Sequence, residues 1–167
     1  MRKPFKHYCP AFGTTVVLLI LASCGGSSPN TSPISSLPIH NEWTWVGGSN
    51  AIDQPGNYAT EGTAAPGSLP GARAYASAWT DTTGNFWLFG GYGTATTNGS
   101  EGDHNDLWKY SNGQWTWVNG SNQIEQQGIY GTEGAPAAGN VPGARWQSAS
   151  WTDAAGNFWL FGGLGNL

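Results

Sequence analysis

Residues 43–93 read WTWVGGSNAIDQPGNYATEGTAAPGSLPGARAYASAWTDTTGNFWLFGGYG, and residues 115–165 read WTWVNGSNQIEQQGIYGTEGAPAAGNVPGARWQSASWTDAAGNFWLFGGLG. The stretches align without a gap, 72 residues apart from Trp43 to Trp115, and roughly three positions in five are identical. A repeat of this kind decides the fold, because each copy cannot bury its apolar face alone and must stack on a neighbour. The second copy stops at Leu167, in the middle of a unit. The sequence therefore predicts a truncated product, in which an oligomer or further repeats are needed to complete the array.

Working outward, the pattern is strand and turn. No stretch after residue 42 has helical periodicity over eleven or more residues. Strands are expected at 42–46, 72–80, 85–91, 106–110, 114–118, 144–152 and 157–163. The second to fifth of these should form one antiparallel sheet in sequential order. Phe86-Trp87-Leu88-Phe89 is apolar at every position, which marks a strand covered on both faces. Asn112-Gly113 is a two-residue hairpin turn, and Asp81-Thr82-Thr83-Gly84 is another tight turn. Both should lie at one end of the sheet. The long connections, Gly47 to Gly71 and Tyr92 to His104, should lie at the other, where binding loops usually gather.

An apolar strand closed by Gly90-Gly91, a loop, then Asn105-Asp106-Leu107-Trp108-Lys109-Tyr110 and Trp115 resembles the kelch repeat. That resemblance implies an all-β, kelch-type β-propeller fragment, with about one complete four-stranded blade plus partial blades. The repeat is longer than the kelch period of about fifty. The excess lies in residues 47–71 and 119–143, and this long variant is similar to the galactose-oxidase/kelch-like proteins of bacterial surfaces.

The N-terminus supplies an address. Arg2, Lys3 and Lys6 precede an uncharged apolar run from Ala11 to Leu21, too short for a stable membrane helix. Leu21-Ala22-Ser23-Cys24 resembles the lipobox of bacterial lipoproteins. The resemblance implies a signal peptide over residues 1–23 and lipidation of Cys24, the first residue of the mature chain. Gly25 after it implies sorting to the outer membrane or cell surface. Acyl chains contribute about 0.8 kcal/mol per buried CH₂ to such an anchor. Residues 24–41, rich in Ser, Pro and Gly, read as a flexible tether, and residues 42–167 as the repeat domain.

Composition narrows the partners. Cys9 leaves with the signal and Cys24 carries lipid, so the domain has no disulfide and relies on packing of its aromatic residues. Beyond the signal stand Arg73, Lys109 and Arg145 against ten acidic residues, a net charge of −7. That balance disfavours nucleic acid and anionic headgroups. The expected partners are a glycan or protein ligand, and the membrane through the lipid anchor.

Four features bear on chemistry. Gly90-Gly91 and Gly162-Gly163 open no helix, so they read as close backbone approach and not as a phosphate cradle. Glu101-Gly102-Asp103-His104-Asn105-Asp106 is the densest polar cluster, and Asp103 and His104 are candidate binding residues; its oxygens could take Ca²⁺ or His104 a transition metal, but the EF-hand spacing is absent and it reads best as a solvated loop. Arg73 and Arg145 recur inside Pro-Gly-Ala-Arg. They either grip ligand carboxylates or pin the long connections by pairing with Glu61 or Glu133, and all four are candidate binding residues. Trp43, Trp45, Trp115 and Trp117 read as packing between blades, with sugar stacking as the alternative. No GxSxG motif, catalytic Cys or triad pattern is present, and no metal or cofactor is expected. Galactose oxidase needs a Cys–Tyr cross-link and His ligands, which this chain does not match. The reading is thus a surface-anchored kelch-repeat binding module. The alternatives are a fragment of a kelch-like sugar epimerase or oxidase whose site lies in other blades, and a non-functional truncated product.

Overall fold

The computed structural model describes residues 43–94 and 99–165, so the signal segment, Cys24 and the tether lie outside the described residues. From Trp45 onward the described residues belong to one compact unit. They hold eleven strands: β1 (Arg73–Ala74), β2 (Ser77–Thr80), β3 (Phe86–Phe89), β4 (Tyr92–Thr94), β5 (Glu101–Asp103), β6 (Leu107–Ser111), β7 (Gln114–Asn119), β8 (Arg145–Trp146), β9 (Ala149–Thr152), β10 (Phe158–Phe161) and β11 (Leu164–Gly165). The described residues are all-β, with antiparallel pairing throughout and no helix.

The largest sheet is four-stranded in the order β2-β3-β6-β7, the sequential order that the sequence predicts. Its tight turns explain the register. Asp81 Oδ1 accepts from the Thr83 and Asn85 amides at 3.0 and 2.9 Å, and Oδ2 accepts from Trp87 Nε1 at 3.0 Å. Asp153 repeats the device with Ala155, Asn157 and Trp159. The indole donor, with the turn's other donors, holds each carboxyl well below its ordinary range. At the other turn Asn112 and Gly113 both have positive φ, 51° and 78°, as a type I′ hairpin requires.

The strand expected over 72–80 is broken in two, and so is its counterpart over 144–152. Ala74 pairs with Tyr92 and Ser77 with Phe89, so Tyr75-Ala76 stands opposite Gly90-Gly91. The whole is one hairpin with a kink in both arms. Tyr75 takes a left-handed φ of 59°, and Gln147 does the same at 54°. Beyond the kink the hairpin joins β5 to form a second sheet, β1-β4-β5. The connection expected as a loop over 92–104 therefore contains two strands.

The kinks are where the copies meet. Gly91 N donates to Arg145 O at 2.9 Å, Arg145 N to His104 O at 3.0 Å, and Gln147 N to Tyr75 O at 3.1 Å. A Cβ on Gly90 would stand 2.5 Å from Arg145 O, and one on Gly91 2.8 Å from Ala74 O. The glycine doublet serves backbone approach, as read from the sequence.

Between the copies the core is aromatic. Phe158 of β10 stacks on Trp79 at 5.4 Å and meets Trp87 edge-on at 5.6 Å. Such pairs contribute about 0.5–1.5 kcal/mol beyond area burial. An apolar cleft of about 200 Å³ remains in this seam, lined in part by Phe89, Leu107 and Leu160.

One expected strand is missing. Residues 43–46 form no strand, and Trp43 and Trp45 are exposed, where packing was expected. Their counterparts Trp115 and Trp117 lie in β7, paired across to Tyr110 and Trp108 of β6. The difference is the partner: β6 stands directly before β7 across a tight turn, and no described strand precedes Trp43.

Candidate functional site

The long connection before β1 folds back over the first sheet. Gly62 N donates to Trp117 O at 2.7 Å, and the Tyr58 ring packs on Trp108 at 4.8 Å and Trp117 at 5.2 Å. This brings Tyr58 beside β1, which carries Arg73, and beside Asp106, which enters β6.

A closed polar cluster results. Arg73 Nη1 and Nη2 donate to Asp106 Oδ1 and Oδ2 at 2.6 and 2.9 Å. Tyr58 Oη and Trp108 Nε1 both donate to Asp106 Oδ2, at 2.5 and 2.6 Å. Arg73 Nε and Nη1 also donate to the Gly71 and Gly90 carbonyls at 3.1 and 3.0 Å. Asp106 is fully buried, so its charge is met by a bidentate guanidinium and two neutral donors. Burial alone would raise the Asp106 carboxyl, but Arg73 and its hydrogen bonds outweigh that and hold it low. Burial would lower the Arg73 guanidinium, and Asp106 raises it instead. Burial and the adjacent Asp106 both raise the Tyr58 hydroxyl. All three thus keep their ordinary neutral-pH charge states.

The polar cluster read as a solvated loop is in fact interior. Asp103, His104, Asn105 and Asp106 are all buried, because β5 and the entry to β6 lie under the second copy. Asn105 Nδ2 donates to Pro142 O and its Oδ1 accepts from Ser121 N, tying the second long connection down. Among the described residues neither His104 ring nitrogen has a hydrogen-bond partner of good geometry. Burial, and then Arg73, push the His104 imidazole down to about 4, so it is neutral at pH 7. Burial, with Glu125 beside it, raises Asp103.

The second copy builds the same grip and leaves it open. Arg145 Nε and Nη1 donate to the Gly143 and Gly162 carbonyls at 2.9 and 3.0 Å, and Nη2 donates to Tyr130 Oη at 2.6 Å. Tyr130 is exposed and Arg145 half-buried. Among the described residues no carboxylate is paired with Arg145, whereas Arg73 is paired with Asp106.

The candidate residues therefore divide. Asp103, His104 and the side chain of Arg73 are interior. Arg145 is accessible. Glu61 and Glu133 are exposed and form no ion pair with either arginine among the described residues, which corrects the expected pairing. The carboxylate partner of Arg73 is Asp106, which the sequence reading placed in the solvated loop. Tyr58 and Tyr130 were missed although they sit 72 residues apart, and that recurrence was the available signal.

The described residues contain no group of three or more His, Cys, Asp or Glu placed to hold a metal, and no helix long and apolar enough to cross a membrane. Comparison with protein-family models, curated proteins and solved structures gives no match to the chain.

Proposed function

We propose that this chain is a lipid-anchored surface protein whose kelch-type propeller blades bind a carboxylate-bearing glycan or protein. The sequential four-stranded sheet and the seam between repeats support the blade reading. The observation that carries the ligand class is the Arg145–Tyr130 grip. In the first copy the same arginine, tyrosine and glycine carbonyls surround a carboxylate. In the second copy they are assembled and exposed. A guanidinium fixed by two carbonyls has already lost much of its rotamer freedom, so less entropy is lost on binding. The domain's acidity disfavours polyanions, so the ligand carries isolated carboxyl groups.

The test uses the full chain in mild detergent, with glucuronate-terminated oligosaccharides and singly acidic peptides as probes. The free acids bind, and their methyl esters and neutral analogues do not. Arg145→Gln abolishes the difference. Equal binding of acid and ester, or an unchanged preference in Arg145→Gln, overturns the proposal.

A further inference from the structure

We infer that copies of this chain associate head to tail, the Phe86 side of one seating on the Trp151–Trp159 pair of the next. The interface already exists inside the molecule. Phe158 stacks on Trp79 with ring planes 18° apart and meets Trp87 edge-on. Phe158 is the repeat counterpart of Phe86, and Trp151 and Trp159 are the counterparts of Trp79 and Trp87. Each half of that contact thus occurs twice in the chain and is used once.

Both unused halves are exposed. Phe86 is 46% exposed, Trp151 47% and Trp159 49%. The receiving half is also preset. Trp159 Nε1 donates to Asp153 at 2.8 Å, as Trp87 Nε1 donates to Asp81 at 3.0 Å. Trp151 and Trp159 lie parallel, 2° apart at 5.9 Å, as a cross-strand pair on β9 and β10. Phe161 and Leu164 extend the exposed apolar surface beside them. An apolar patch of this kind on a folded chain marks an association site. The two halves are different surfaces, so the contact is heterologous. It propagates into open chains or closes into a ring, and does not stop at a two-fold dimer.

Sedimentation of the full chain in mild detergent over a range of concentrations tests this, with near-ultraviolet circular dichroism as the fold check. The unsubstituted chain gives species larger than dimers as concentration rises. Phe86→Ser and Trp151→Ser each weaken association about tenfold or more, since each removes an aromatic anchor. Mixed in equal amounts, the two variants form a one-to-one complex that grows no further, because each keeps one intact half. Trp159→Ser repeats the test from the second anchor. A chain that stays monomeric overturns the inference and leaves the face to another partner. So does association that all three substitutions leave unchanged, or a mixture that behaves as the sum of its parts. The Arg145 binding test is independent of every one of these outcomes.

Discussion

Trp79 and Trp151 occupy the same place in two copies of one sequence, yet Trp79 is 8% exposed and Trp151 47%. Phe89 and Phe161 differ more, at 5% and 73%. The hairpins that carry them share their turn chemistry and register. What differs is the neighbour, since the first hairpin has the second copy on its face. Local sequence therefore builds the hairpin, and only the stacking of repeats makes its aromatic residues a core. The arginine grips follow the same rule. Arg73 closes on Asp106, while Arg145 meets the Tyr130 hydroxyl and has no carboxylate partner among the described residues.

The largest expected effect comes from breaking the closed grip. Asp106→Ala leaves the buried Arg73 guanidinium unpaired and also strips Tyr58 and Trp108 of their acceptor. Removing one partner of a buried pair costs about 3–5 kcal/mol. Arg145→Ala, on the open side, costs under about 1 kcal/mol. Urea unfolding of both variants measures the gap, and equal losses would mean that the two grips are equally closed.

Next comes the aromatic seam. Trp79→Ala removes a ring stacked on Phe158 and should cost about 3–5 kcal/mol, whereas Trp151→Ala should cost no more than about 1 kcal/mol in dilute solution. The same unfolding experiment, run at low protein concentration, separates them.

The third effect is on pH dependence. Burial lowers the His104 imidazole to about 4, below an unfolded value near 6.5. The unfolded chain then binds the proton more tightly, so this contribution is fully present above about pH 6.5 and is lost as pH falls toward about 4. The shift corresponds to about 3 kcal/mol across that window. Replacing His104 by Leu, which cannot titrate, flattens the slope between pH 4 and 6.5. A slope unchanged in that variant would show that His104 is not its source.

Much of the strand plan was legible, because turns announce themselves locally. Asn112-Gly113 and the Asp81 turn placed β2, β3, β6 and β7. The kinks at Tyr75 and Gln147 were not legible. Neither residue is a glycine, and the left-handed backbone there is stabilised by a hydrogen bond between copies, Gln147 N to Tyr75 O. The interior position of Asp103 to Asp106 was hidden for a similar reason. Five polar residues among six look like a solvated loop until a second copy is laid over them. The arginine partner was misassigned to Glu61 because Asp106 occurs only once in the sequence, so the repeat could not mark it as part of the grip.

Hydroxyl-radical footprinting of the intact chain at high dilution tests the contrast between copies most directly. Trp151, Trp159 and Phe161 should be oxidised many times faster than their counterparts Trp79, Trp87 and Phe89. Matching rates within each pair would contradict the account, since equal labelling requires that both copies be equally covered.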